Sequence, residues 1–243
     1  MQAVAIIPAR YASTRFPAKA LADLCGKPLI QWVWEAVSLT GLFSDVIVAT
    51  DSLLILEAVE NFGGKAEMTR SSHASGSDRI AEVAANLDAE IIVNVQGDEP
   101  LIDKRALAAL LDAFRDPATR IASLMARLSD RAELSDPNTV KVVVDNRGNA
   151  LYFSRAPIPH DRDGAGFDRY WRHVGVYAYR REALLHFVSL PPGELEQTEK
   201  LEQLRALENG IPIRMVATGY QGIGIDTPQD LARAEVLFKE RIP

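Results

Sequence analysis

Met1-Gln-Ala-Val-Ala-Ile-Ile-Pro-Ala-Arg-Tyr-Ala-Ser-Thr-Arg-Phe-Pro-Ala-Lys-Ala20 is a short apolar run that empties into a basic, polar loop. Residues 3–7 are too few for a helix, rich in β-branched side chains and closed by Pro8, which predicts a buried strand of a parallel sheet. The loop therefore starts at the strand's carboxyl end, where open α/β sheets bind ligands. It carries Arg10, Arg15 and Lys19 with the hydroxyls of Ser13 and Thr14, while Ala9, Ala12 and Ala18 let the backbone come close. Lysine offers a compact charge and arginine a fork of donors, a combination suited to a polyphosphate.

Working outward, strands and helices alternate. Apolar residues at helical spacing predict a helix over 27–40, with Pro28 in its first turn. A strand over 46–50 follows, then a helix capped by Asp51 and Ser52 and ended at Gly63-Gly64, and a third strand over 65–69. Ser75-Gly76-Ser77 opens the next helix, whose N-terminal N–H groups and dipole can receive a polar or anionic group. A strand over 90–96 ends in Gly97-Asp98-Glu99-Pro100, before a helix over 104–115. This rhythm predicts an α/β fold with a doubly wound, mostly parallel sheet. After Arg120 it changes to strands over 122–128, 140–144, 150–154 and 172–179 without long helices between them. A single domain, 1–243, with an inserted antiparallel lobe at about 129–194 is the expected organisation. A helix over 195–208, a last strand over 213–217 and a helix entered through Thr227 and Pro228 complete the chain.

Composition narrows the classes. The chain has 243 residues, 47% hydrophobic and 25% charged, the profile of a globular protein with a sizeable core. A formal net charge of −6 speaks against duplex nucleic acid as partner. No apolar stretch approaches the roughly 18–20 residues of a membrane span, and the first strand lacks a signal peptide's basic flank, so a cytoplasmic location is the expectation. The single cysteine, Cys25, cannot form an internal disulfide.

Asp98 should project from the same sheet edge as the Arg10 loop. Hard oxygen donors beside a polyphosphate suit Mg²⁺, which takes one or two carboxylates and completes its shell with water and phosphate oxygens. Asp226, in Gly222-Ile-Gly-Ile-Asp226-Thr-Pro, is a second candidate; the alternative for it is a helix-entry residue bonded to its own backbone.

The phrases Ile7-Pro-Ala-Arg-Tyr-Ala-Ser-Thr-Arg-Phe-Pro-Ala-Lys19, His73-Ala-Ser-Gly-Ser-Asp-Arg79, Asn94-Val-Gln-Gly-Asp-Glu-Pro100, Ala150-Leu-Tyr-Phe-Ser-Arg-Ala-Pro157, Arg172-His-Val-Gly-Val-Tyr177, Glu199-Lys-Leu-Glu-Gln-Leu-Arg205 and Ile225-Asp-Thr-Pro228 span the chain. In this order and spacing the chain closely resembles the 3-deoxy-manno-octulosonate (Kdo) cytidylyltransferases. The resemblance implies a sheet of the nucleotide-diphospho-sugar transferase type and a nucleotidyltransferase that converts CTP and Kdo into CMP-Kdo and pyrophosphate with Mg²⁺, for lipopolysaccharide synthesis. It also implies a homodimer, with the antiparallel lobe as the dimerisation surface. It puts Arg10, Arg15 and Lys19 on the triphosphate, Asp98 and Asp226 on the metal, and Arg10, Lys19, Asp98 and Asp226 in the catalytic set. Ala9, Ser75, Gly76 and Arg79 fall on the cytosine and ribose, and Gln96, Arg155, His173, Tyr177, Glu202 and Gln203 on the sugar acid. Pro17-Ala18-Lys19-Ala20 departs from the Pro-Gly-Lys-Pro common in the family, and Ser77 stands where Thr is common. Rival readings are a cytidylyltransferase for a sialic acid or 8-amino-Kdo, a glycosyltransferase on the same core, and a nucleotide-binding regulator.

Overall fold

The computed structural model describes residues 1–12, 16–164, 166–222 and 224–241, in two compact units, residues 1–104 with 222–243 and residues 105–221. Ser13, Thr14 and Arg15, read above as part of the phosphate loop, lie outside the described residues. The expected lobe at 129–194 falls inside the second unit, whose bounds are wider on both sides.

The first unit is built on β1 (Ala3–Ala9). A hairpin of β2 (Asp23–Leu24) and β3 (Lys27–Pro28) follows, turning through Cys25 and Gly26, both at positive φ. Two consecutive positive φ values match the twist of a tight two-residue hairpin. The hairpin takes Lys27 and Pro28 out of the expected helix, so α1 runs over Leu29–Ser38. Then come β4 (Asp45–Thr50), α2 (Leu53–Asn61), β5 (Lys65–Met68), α3 (Gly76–Ala84) and β6 (Ile91–Asn94). The strands lie in the order β6-β1-β4-β5, every pairing parallel. Ile6, Ile7, Ile47, Val48, Ile91, Ile92 and Val93 are fully buried, the near-continuous apolar runs of strands covered on both faces. The mixed α/β class with a parallel sheet is as expected.

The second unit takes up the chain along α4 (Lys104–Asp112) and contains β7 (Ile121–Arg127), α5 (Arg131–Ser135), β8 (Lys141–Val144), β9 (Ala150–Ser154) and β10 (Trp171–Arg180). It continues through α6 (Arg181–Ser189), α7 (Glu194–Glu199), α8 (Leu204–Glu208) and β11 (Ile213–Ala217). β7 pairs antiparallel with β10, β10 with β8, and β8 with β9, while β11 joins β7 in parallel. The chain then returns to the first unit as α9 (Pro228–Arg241).

One helix was not expected and one expectation needs correction. α6 falls in a stretch to which the sequence reading assigns no element; it buries Ala183, Leu184 and Phe187 at helical spacing, but Arg180 at its N-cap makes no side-chain capping bond. The single helix expected over 195–208 is two, because Lys200 sits at φ 55 and ends α7. A straight helix would carry residues 196 and 205 about 13.5 Å apart along its axis. Instead the Arg205 guanidinium grips the Glu196 carboxylate through Nε at 2.7 Å and Nη2 at 2.6 Å, folding the segment back on itself. Glu202 and Gln203 consequently lie on the turn between two short helices.

This pair is almost wholly desolvated, so removing one partner strands the other charge. Arg205→Ala is expected to lower unfolding free energy by about 3 kcal/mol in urea titration; a loss near zero would show that the fold-back does not depend on the pair.

Candidate active site

A cavity of about 500 Å³ opens at the carboxyl edge of the first unit's parallel sheet. Pro8, Ala9, Arg10 and Ala12 leave β1 to form one wall, Lys19 and Ala20 another, Ala74, Ser75 and Gly76 enter α3 at a third, and Gln96, Gly97 and Asp98 follow β6. The structure thus brings together Ala9, Arg10, Lys19, Ser75, Gly76, Gln96 and Asp98, all expected at the site. Ala12, expected to let the backbone come close, lines it too, whereas Pro8, Ala20, Ala74 and Gly97 were not expected as site residues, although all belong to the quoted phrases or the loop after β1. Gly97 is required by space, since a Cβ there would stand 2.9 Å from the Pro8 carbonyl oxygen.

The centre of the site is an ammonium between two carboxylates. Lys19 Nζ donates to Asp98 Oδ2 at 2.6 Å and to Asp226 Oδ1 at 3.0 Å. Burial alone would push the Lys19 pKa down, but the Asp98 charge and hydrogen bond, joined by Asp226, outweigh it and raise the group above its ordinary value of 10.5. Lys19 is therefore charged throughout the neutral range. Asp226 reaches Asp98 because the Ile225 N–H donates to the Asp98 carbonyl at 3.1 Å. Ile225 is anchored in an apolar cluster with Leu24, Leu29, Ala234 and Phe238, which packs α9 onto the β2–β3 hairpin and α1. Asp230 accepts from the Asp226 and Thr227 N–H groups and Thr227 Oγ1 accepts from the Asp230 N–H, completing the helix cap. Capping of α9 therefore falls to Thr227 and Asp230, and the Asp226 carboxylate turns to Lys19.

Ala18, where the family commonly has glycine, adopts φ 55 and ψ 26. Its N–H donates to the Tyr11 carbonyl and its carbonyl accepts from Leu21, closing the turn that presents Lys19. A left-handed alanine costs about 1–2 kcal/mol.

At α3, Ser75 and Asp78 form a capping box: Ser75 Oγ accepts from the Asp78 N–H, and Asp78 Oδ2 accepts from the Ser75 N–H. Asp78 already supplies the negative charge this helix end attracts. The reading of that N-terminus as an anion site narrows to Ser75 and Gly76 as a polar, close-approach wall. Arg79 does not line the cavity. Its fully buried guanidinium donates to Asp51 Oδ2 at 2.7 Å and to Thr69 Oγ1, tying α3 to the ends of β4 and β5.

In the second unit, Tyr177, Glu202 and Gln203 line a cavity of about 60 Å³ with Ile121, Tyr179, Phe187, Ala206 and Ile213. That space suits a few waters, not an eight-carbon sugar acid. The His173 ring packs against Phe153 and Tyr177, with centroids 5.0 and 5.3 Å away, and burial pushes its pKa down to about 3. Part of the residue still reaches solvent, but even a smaller lowering leaves the imidazole neutral near pH 7. Arg155 is committed to backbone carbonyls, donating to Pro137 at 2.7 Å, Glu199 at 2.8 Å and Lys200 at 3.4 Å. The structure thus gives it a cross-linking task in place of the free cation expected for a sugar carboxylate.

Comparison with known proteins places these features. The cytidylyltransferase family model matches residues 4–214. A 3-deoxy-manno-octulosonate cytidylyltransferase of Flavobacterium johnsoniae is 53% identical, covering 99% of this chain and 100% of its own, and one of Solibacter usitatus is 50% identical, covering 98% and 94%. The chain belongs to the 3-deoxy-manno-octulosonate cytidylyltransferase family. A solved structure of CMP:2-keto-3-deoxy-manno-octonic acid synthetase complexed with CTP covers 100% of both chains with a TM-score of 0.95 and 46% identity. A 4-diphosphocytidyl-2C-methyl-D-erythritol synthase from Anaerococcus prevotii shares the fold at a TM-score of 0.65 and 15% identity.

Ala18→Gly should relieve the left-handed strain. Part of that gain is offset by the extra freedom of glycine in the unfolded chain, so thermal unfolding is expected to show a net stabilisation of about 0.5–1 kcal/mol. A clear loss of stability would contradict the left-handed turn.

Proposed function

We propose that the protein transfers the cytidylyl group of CTP to 3-deoxy-manno-octulosonate, giving CMP-Kdo and pyrophosphate. The observation that carries this reading is the sheet-edge cavity in which Arg10 and Lys19 stand beside two convergent carboxylates, Asp98 and Asp226, in a chain about half identical to cytidylyltransferases over nearly its whole length. The sugar's anomeric hydroxyl attacks the α-phosphorus in line. A phosphorus–oxygen bond to the sugar forms as the bond from the α-phosphorus to the bridging oxygen of the β-phosphate breaks, the hydroxyl's proton passes to solvent water, and pyrophosphate departs with the bridging oxygen. Such a reaction needs positioning and charge stabilisation and no covalent enzyme intermediate.

Arg10 and Lys19 would hold the triphosphate and stabilise the charge that gathers on the departing pyrophosphate. Ala9, Ser75 and Gly76 would border the cytidine, where small residues allow close backbone approach. Asp98 and Asp226 fit Mg²⁺, because two hard carboxylates already meet at one cation, and the metal would supply positive charge against the phosphate oxygens. A triphosphate gives Lys19 new anionic partners, so its ammonium can pass from carboxylate to phosphate as nucleotide enters. For the sugar acid, Gln96 lines the first unit's cavity; the assignment of Arg155, His173, Tyr177, Glu202 and Gln203 to it rests on the family resemblance alone. The same reading carries a homodimer, a cytoplasmic location and a place in lipopolysaccharide synthesis. Among the described residues no helix is long and apolar enough to cross a membrane.

Pyrophosphate release measured with each nucleoside triphosphate against Kdo, 8-amino-Kdo and sialic acid tests the reaction; CTP with Kdo is expected to be the productive pair. Asp98→Asn and Asp226→Asn should each remove most activity, and the double variant should be little worse than either, because groups acting as a unit are non-additive. Additive losses, or an Asp226→Asn enzyme with unchanged Mg²⁺ dependence, would return Asp226 to a helix-entry role.

A further inference from the structure

We propose that Glu82, on α3, is a positioning residue for the nucleotide: it gathers Arg70 and His73 onto one carboxylate oxygen and so holds Ala74, Ser75 and Gly76 as a fixed wall of the sheet-edge cavity. The proposal rests on the cytidylyltransferase reading for the identity of the nucleotide, and on the geometry of the first unit alone for the clamp.

The chain leaves β5 at Met68, passes through Thr69 to Ser75 and enters α3 at Gly76. Glu82 stands four residues after Asp78 and three after Arg79, so the three share one side of the helix. All of them turn back onto the segment that precedes them. Arg79 Nη1 donates to Thr69 Oγ1, and Asp78 Oδ2 accepts from the Ser75 N–H and hydroxyl, both at 3.0 Å. Glu82 Oε2 takes the middle, accepting from the Arg70 N–H at 3.1 Å, from Arg70 Nε at 3.4 Å and from His73 Nε2. The bond from His73, joined by those from Arg70, holds the Glu82 carboxyl below its ordinary value of 4.5. The group is therefore ionised at neutral pH and can only accept, which makes His73 Nε2 the donor. The His73 side chain is only 10% exposed, and the next residue, Ala74, begins the wall.

That wall has no large side chain to steady it. Ala74, Ser75 and Gly76 are small, and Gly76 lies so near β1 that a Cβ there would stand 3.4 Å from the Pro8 ring. The gap between this wall and Ala9, where the nucleotide is proposed to lie, depends on what the 70–75 segment is tied to. A segment free to move must be ordered when the ligand arrives, at a cost in affinity, and one already clamped avoids that cost. Glu82 does not itself line the cavity, so its effect passes through the segment. Such an effect acts on the bound substrate and the transition state alike, and so belongs in nucleotide affinity and not in kcat.

Hydrogen exchange at the Arg70 amide of the full-length protein reads the clamp directly, and titration with CTP and Mg²⁺ in the absence of Kdo reads its consequence. Glu82→Ala is expected to speed Arg70 exchange and to weaken CTP about ten-fold, with kcat and the KM for Kdo little changed. His73→Ala should weaken CTP by a smaller factor, and the double variant should be no worse than Glu82→Ala, because one carboxylate serves both contacts. Glu82→Gln, which keeps an oxygen acceptor at the same reach, should fall between wild type and Glu82→Ala; with His73→Ala it carries the test if the alanine variant does not fold. Glu82 variants that only lower the unfolding temperature and leave CTP affinity unchanged would overturn the proposal, as would losses shared equally by Kdo or losses that add in the double variant. A wild type that does not bind CTP would instead sink the cytidylyltransferase reading and the nucleotide role with it, while exchange at Arg70 would still decide the clamp.

Discussion

Two carboxylates held within reach of one point repel each other unless a cation lies between them, and in this protein that cation is the Lys19 ammonium. Much of the first unit exists to bring the three groups together. β6 delivers Asp98, and Gly97 lets the chain pass Pro8 at a distance no side chain would permit. The left-handed turn at Ala18 aims Lys19, and the apolar seam under α9 carries Ile225, and with it Asp226, onto the Asp98 backbone. The trio has a net charge of −1, so a triphosphate that draws Lys19 away leaves the carboxylates in need of another cation. In the proposed reading, nucleotide and metal would be linked through this one lysine.

The same economy governs the second unit, where few side chains tie many strands. Lys141 is fully buried, and its ammonium donates to the carbonyls of Asp136, Thr139 and Arg155, while the Arg155 guanidinium bonds those of Pro137, Glu199 and Lys200. Buried cations satisfied by backbone carbonyls fix loops that have little apolar surface of their own. Arg205 with Glu196 does the same for the α7–α8 turn, and Ser123 for the bulge of β10.

What could be read from the amino-acid order was what short-range pattern encodes. Apolar β-branched runs gave the parallel strands, so the position of Arg10 and Asp98 at one edge followed from where those runs end. The entry into α9 at Thr227-Pro228 was visible because capping residues sit beside the helix they cap. The rest depends on contacts between distant residues. Nothing local to Leu204-Arg205 announces that Arg205 reaches Glu196 and breaks a helix in two. α6 has the apolar spacing of a helix but no side-chain cap, and it follows its strand without a turn signal. Arg79 sits in a phrase that carries the family resemblance, yet its guanidinium ties α3 to Asp51 and Thr69. Ser123 carries no motif, because its bonds to the Val174 and Val176 carbonyls follow from the register shift in the strand opposite.

Thermal unfolding of the wild type and Lys19→Met, each with and without Mg²⁺, bears most directly on the link between Lys19 and the two carboxylates. Without its ammonium the variant keeps Asp98 and Asp226 side by side, so it should unfold at a lower temperature than the wild type. Mg²⁺ should then restore it by several degrees more than it shifts the wild type, and adding Asp98→Asn should abolish that response. A Lys19→Met protein as stable as the wild type, or one indifferent to Mg²⁺, would contradict the account.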